Sequence, residues 1–364
     1  MRKEENLLFE NFKSQATMRY LIITIGIILI TILLLSTLYN LGILNPSSTS
    51  IPSTSIAPVV WLSSWSYRRN ITIDNRENGN TLSNYQVLVH LNTKSLISER
   101  KMRRDCGDIR FTDSDGKTLL SYWIENGCNS TDTQIWVKIP SIPAWSTKTV
   151  YVYYGNFKAG SESNGKNTFY FFDDFSEYPV GSSLAGEGGW INAGSKPPII
   201  NSSGGSKIAT FTYGGVYQNL TISNNTGYAI RCKVHRGTSG DSSFMLFLNR
   251  YGFFYFCKWD PSNDIGVRIY RIPDGKLILI GSNSFTAYLS CDDWDVIEGR
   301  WFGSNLQFYR DGNKMLDINY SPPDTHVVSG IAIGANATWS VDYILVRLFN
   351  PPEPLISIGA EKGI

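Results

Sequence analysis

From Leu21 to Leu44 no side chain carries a charge. At about 1.5 Å of rise per residue this run makes roughly 36 Å of helix, enough to cross a hydrocarbon core of about 30 Å. Arg2, Lys3, Lys13 and Arg19 precede the run, and the next charge is Arg68. A cationic leader held inside places the bulk of the chain on the outer side. A cleaved secretory signal has an apolar core of about 7–15 residues ending at a small-residue site. Here the core is longer and runs into Leu38-Tyr39-Asn40-Leu41-Gly42, which favours a retained helix.

Both ends of this segment carry a recognisable pattern. Gln15-Ala16-Thr17-Met18-Arg19-Tyr20-Leu21 opens it and Leu38-Tyr39-Asn40-Leu41-Gly42-Ile43-Leu44-Asn45-Pro46 closes it. The segment resembles the archaeal type IV pilin-like proteins with a class III signal peptide. That resemblance implies a leader at 1–14, cleavage between Ser14 and Gln15 by a prepilin-type peptidase, and a hydrophobic helix at 15–44. The helix would lie in the membrane or pack with pilin subunits in a filament. The family usually has Glu where this chain has Arg19, whose charge would repel a neighbouring amino terminus. A permanent single-span anchor meets the same length and apolarity.

Residues 45–58, NPSSTSIPSTSIAP, hold neither charge nor aromatic ring, and so bury too little apolar surface to offset ordering. This stretch reads as an extended linker of the kind found in O-glycosylated stalks. Behind it, 59–364 is long enough for two domains. With 20 Tyr, 18 Phe, 10 Trp and 32 Gly, the whole chain has the composition of a mostly β protein. A net charge of +2 argues against the concentrated cationic surface that nucleic acid requires, and the one dense basic cluster, Arg100 to Arg104, has acids at both ends and reads as a solvated connection.

Period-two alternation predicts strands at 66–73, 85–91, 108–112, 119–125, 134–139 and 147–154, with Tyr85, Val87, Val89 and Leu91 on one face. No helix is expected among them. Trp65-Ser66-Tyr67-Arg68-Arg69, Asp108-Ile109-Arg110-Phe111, Tyr122-Trp123-Ile124-Glu125, Ile135 to Pro140 and Val152 to Asn156 are similar to domain of unknown function 2341. The likeness spans about 61–159. It implies a β-sandwich surface module, drawn at 59–160, with no chemistry to transfer.

A second β region is expected at 168–364, opening on Phe169 to Phe175. Asp274-Gly275 and Asp311-Gly312 are predicted hairpin turns, because such pairs supply positive φ. Trp294 to Gly312 and Val341 to Arg347 resemble a laminin-G or concanavalin-A-like jelly roll. The fold class is therefore mostly β: an N-terminal transmembrane or pilin-like helix followed by two β-sandwich, jelly-roll-like domains.

Cys106 and Cys128 flank a strand pair, and in an oxidising compartment their separation suits a disulfide. Cys232, Cys257 and Cys291 are odd in number, so at least one stays free or pairs elsewhere. Sequons place N-glycosylation at Asn70, Asn129, Asn201, Asn219, Asn224 and Asn336, while Pro322 weakens the one at Asn319.

Asp293, Asp295 and Glu298 are similar to the paired carboxylates of jelly-roll glycoside hydrolases. Asp293 stands where that motif has Glu, and its shorter arm misplaces a nucleophile, so a non-catalytic strand is the expectation and a surface glycoside hydrolase the alternative. Gly116-Lys117-Thr118 lacks the upstream Gly of a phosphate loop, with Phe111 in its place, and reads as a hairpin turn. His90, His235 and His326 are isolated, which excludes a histidine zinc motif. Asp173, Asp174 and Asp342 are the candidate ligands for a structural Ca²⁺, with solvated strand-end acids as the competing reading. The chain reads as a non-enzymatic, exported surface protein, either a minor or tip pilin-like subunit or an anchored adhesin. Its partners would be the membrane, the peptidase, and glycans or neighbouring surface proteins.

Overall fold

The computed structural model describes residues 25–38, 62–222, 227–237, 242–248, 251–257, 264–271, 278–286, 293–320 and 328–363. Ser14, Gln15, the linker 45–58, the turn at Asp274, Asn224, Cys291 and His326 lie outside them, as does the side chain of Cys257.

Residues 25–38 are an α-helix. Its hydroxyls turn back onto its own carbonyls, with Thr31 donating to Ile28, Ser36 to Leu33 and Thr37 to Leu34, each at 2.8 Å. Its Ile and Leu side chains are exposed. These residues make about 21 Å of helix. Among the described residues no helix is long and apolar enough to cross a membrane; the predicted span runs past both ends of this one.

Five of the six strands predicted in the first β region form, and the sixth, 119–125, divides at Ser121 into Leu119–Leu120, which pairs with Arg110–Thr112, and Tyr122–Asn126, which joins the other sheet. Tyr67–Asp74 pairs with Thr147–Tyr154 along its whole length, and Arg110–Thr112 continues that sheet. Leu82–Leu91, Thr133–Ile142 and Tyr122–Asn126 make a second sheet of three. Ile71, Ile73, Val87, Val89, Phe111, Ile135, Val137, Val150 and Val152 fill the space between, where alternation places one apolar face of each strand. Cys106 and Cys128 are disulfide-bonded. The short helix Thr93–Ser98, capped by Asn92 Oδ1 accepting from the Ser95 N–H, was not expected. Six residues are too few to show a helical period.

The second β region turns on one strand of 22 residues, Val328–Phe349. Its first half lies between Ser206–Ile222 and Ser242–Leu248; its second half pairs with Gly227–Arg236 and Phe171–Asp173. One strand thus serves both layers of a jelly-roll-like sandwich, over a core that includes Phe211, Phe244, Trp339 and Ile344. At the predicted turn, Asp311 and Gly312 have φ of 49° and 78°, closing a two-residue hairpin between Arg310 and Asn313.

The module boundaries differ from the sequence reading in two ways. Leu355–Gly363 leaves the second region and pairs with Tyr67–Asp74, adding an edge strand to the first sheet. The three-stranded sheet is also covered on its outer face: Leu88, Trp123 and Trp136 pack with Phe169, Phe172, Tyr343 and Leu345. Gln86 completes the seam, donating to Thr168 O at 3.0 Å and accepting from the Leu348 N–H at 3.0 Å. Residues 60–364 consequently form one compact unit.

Candidate functional site

The acids proposed for hydrolysis do not converge. Asp295–Phe302 pairs with Gly227–Arg236 without a bulge, Val234 opposite Asp295 and Arg231 opposite Glu298. Three residues apart on a regular strand, Asp295 and Glu298 point to opposite faces. Asp295 lies on the core side and accepts from Arg310 Nε at 2.9 Å and Nη2 at 2.6 Å. Asp293 is exposed.

Glu298 lies on the opposite face, 0% exposed beneath the first module. It accepts from Arg231 Nη1 at 3.2 Å, Arg347 Nη2 at 2.9 Å and Arg300 Nε. The network continues across the seam. Glu125 accepts from Arg231 Nε at 2.6 Å, Trp136 Nε1 at 2.8 Å and the Tyr343 hydroxyl. Glu353 accepts from Arg347 Nη1 at 2.6 Å and the Tyr85 hydroxyl at 2.8 Å. Burial alone would raise the Glu298 carboxyl, but Arg347, Arg300 and Arg231 hold it well below the ordinary carboxylate range. A general acid needs the reverse shift. Glu298 is thus held as a buried carboxylate that rivets the modules, with every oxygen committed to arginine rather than free for a substrate.

The predicted Ca²⁺ ligands are also committed to protein donors. Phe171–Asp173 does lie beside Val328–Phe349, as expected of opening and closing strands. Yet Asp173 accepts from Tyr178 Oη at 2.7 Å, Trp190 Nε1 at 2.8 Å and the Phe175 N–H at 2.8 Å. Asp174 accepts from Ser176, and Asp342 from Lys233 Nζ at 2.7 Å. Among the described residues no group of His, Cys, Asp or Glu could hold a metal ion. Cys232 is a buried free thiol that burial holds in the protonated form.

Among the described residues the fold leaves open a groove of about 430 Å³ on the solvent face of the second region, within the range of about 300–1,000 Å³ typical of small-molecule sites. Pairing Val216 with Ile333 sends those two side chains into the core, so their neighbours Gly215, Gly334 and Ala332 face out and floor the groove. Met245, opposite Gly334, lies on the same face. Here the long strand bulges. Between the pairs Thr212–Thr338 and Gly214–Ala335, the single residue Tyr213 stands against Asn336 and Ala337. Tyr213 takes a φ of 53° and is 63% exposed. A bulge re-aims side chains, and this one turns an aromatic ring and an amide onto the groove wall. Gly214 is required because a Cβ there would run into the Lys196 carbonyl oxygen.

The sequons separate by environment. Asn129, Asn219, Asn319 and Asn336 are exposed, whereas Asn70 and Asn201 are half-buried. Sequence reading missed Arg231, Arg300, Arg347 and the groove. The available signals were a charge within the apolar run from Val341 to Phe349 and paired glycines inside a strand.

Fold and site together define an antiparallel β-sandwich protein with a jelly-roll-like second half. The family model "Domain of unknown function (DUF2341)" matches residues 105–192, so the chain carries that domain. The match starts later than the likeness read from sequence and runs past the seam, taking in Phe169 and Phe172. Among solved structures, a family 16 glycoside hydrolase endo-glucanase from Bacteroides ovatus is similar at 12% identity and a TM-score of 0.37, covering 48% of this chain and 99% of its own. The carbohydrate-binding module CBM66 from Bacillus subtilis aligns at 11% identity and a TM-score of 0.33, covering 44% and 95%. The CBM2 module of the Lactobacillus casei BL23 phage J-1 evolved Dit aligns at 12% and 0.37, covering 53% and 96%. No curated protein matches the chain.

Proposed function

We propose that this chain is an exported surface protein, held by its N-terminal helix, whose β body contacts glycans through the Tyr213 groove. The groove carries the reading. A floor of glycine and alanine lets a flat pyranose approach the backbone, Tyr213 offers an aromatic face with a polar tip, and Asn336 supplies an amide. The exposed apolar helix 25–38 needs lipid or other helices around it, which supports a membrane anchor or a minor or tip place among pilin subunits. The disulfide fits an oxidising compartment.

Affinity electrophoresis of the detergent-solubilised full chain, made in a host that does not glycosylate it, against a panel of soluble polysaccharides tests the groove. Retardation by at least one, abolished in Tyr213→Ala, is expected; no retardation, or retardation that Tyr213→Ala leaves unchanged, refutes it. Mass spectrometry of the native amino terminus tests the anchor. A start at Gln15 supports prepilin-type processing after Ser14, and an intact Met1 makes the helix a simple span.

A further inference from the structure

We infer that Asn336 bears an N-linked oligosaccharide whose proximal sugars lie in the Tyr213 groove, so that the chain's own glycan occupies the site in cis. The inference rests on the reading above, that the chain is exported and the groove accepts sugars.

Asn336-Ala337-Thr338 is a sequon, and the bulge places its Asn where the groove is open. Asn336 Oδ1 is fixed by the Ser243 N–H at 2.6 Å, restoring a backbone partner that the bulge would otherwise leave unmet. With the oxygen pinned, Nδ2, the atom that accepts a glycan, has no acceptor among the described residues, and the side chain is exposed. Among the described residues the other sequons lack this combination. Asn201 donates its Nδ2 to Thr210 Oγ1 at 2.8 Å. Asn70 is half-buried in a strand paired on both sides. Asn129 and Asn219 are exposed but do not line the groove. A sugar attached at Asn336 emerges beside the Tyr213 ring and above the Gly215, Gly334 and Ala332 floor.

The donor is a lipid-linked oligosaccharide, and the catalyst an oligosaccharyltransferase of the export membrane. Nδ2 attacks the anomeric carbon and the N–C bond forms. The bond from that carbon to the lipid phosphate oxygen breaks, the phosphate leaves with its electron pair, and the amide proton passes to a base of the transferase. Nothing is oxidised or reduced.

The test compares full chain from its native membrane with full chain made in a host that has no such transferase. Glycopeptide mass spectrometry reads Asn336, and hydroxyl-radical footprinting reads Tyr213. The native chain is expected to carry an oligosaccharide at Asn336, and its Tyr213 to be labelled severalfold less than in the unmodified chain. Thr338→Val removes the sequon while keeping Asn336 and should restore full labelling; Thr338→Ser keeps the sequon and should stay protected. A bare Asn336 in native chain overturns the inference, and so does a glycan that leaves Tyr213 labelled as in Thr338→Val. Either result leaves the groove reading standing if the unmodified chain still binds soluble saccharide through Tyr213. Absence of that binding defeats the groove as a receptor for free glycans, and the attached glycan's place against Tyr213 is then decided by mass and footprint, which are read independently of it.

Discussion

Replacing Glu298 by Gln keeps the volume and removes one charge from a closed set. Three guanidiniums, Arg231, Arg300 and Arg347, face three carboxylates, Glu125, Glu298 and Glu353. Glu298 and Arg347 are each 0% exposed, so neither can recover hydration when its partner goes. Breaking such a pair leaves a buried charge uncompensated and costs about 3–5 kcal/mol. A surface pair would cost at most about 1 kcal/mol. For a body of this size the buried value corresponds to a melting point lower by roughly 5–10 °C. Urea unfolding of the detergent-solubilised full chain, followed by tryptophan fluorescence, should show it, because Trp123 and Trp136 lie at the seam. Adding Arg347→Met to Glu298→Gln restores the charge balance and should recover part of the loss. A Glu298→Gln cost below about 1 kcal/mol would refute the argument that this network rivets the two modules.

Acid should act on the same group. The Glu298 carboxyl is depressed in the folded state, so its contribution is fully present above the ordinary carboxylate value and is lost as pH falls below it. Unfolding free energy should be level above about pH 5 and drop below about pH 4, with a shallower drop in Glu298→Gln, as read by urea titrations across that range. Reducing Cys106–Cys128, which are 22 residues apart, should cost about 3 kcal/mol by loop entropy, measured by the urea midpoint with and without reductant. Gly214→Ala should push the Lys196 backbone away, costing about 1–3 kcal/mol and weakening saccharide retardation together. Tyr213→Ala should abolish retardation while moving stability by less than about 0.5 kcal/mol, since the ring is mostly in solvent.

Strand positions in the first module were legible because alternation is a local signal: Tyr85, Val87, Val89 and Leu91 are buried as their period requires. The Asp311-Gly312 hairpin was legible for the same reason, since positive φ is a property of two adjacent residues. The disulfide followed from compartment and separation. Of the acids, Asp295 and Glu298 were readable, because a spacing of three on an unbulged strand divides them between its faces, whereas the partners of the Ca²⁺ candidates were not. Asp295 and Glu298 share no face here, and Asp173 meets three donors drawn from residues 175–190. The groove was hidden because its wall depends on a bulge between strands more than a hundred residues apart, Tyr213 against Asn336.

The sequence alone determined the apolar helix segment, the mostly β character of the described body behind it, the pairs of faces on most strands and the positions of several turns, because each depends on neighbours a few residues away. Only the tertiary structure decided which face met solvent. Gln86 and Leu88 fall on the face that alternation would give to water, yet Gln86 is buried and Leu88 half-buried because a second sandwich lies upon it. Leu355–Gly363 returns to the first sheet across nearly the whole body, and Glu298 became a rivet because three arginines from separate strands or positions close around it. Burial and charge pairing are sums over residues distant in the chain, and no local window contains them.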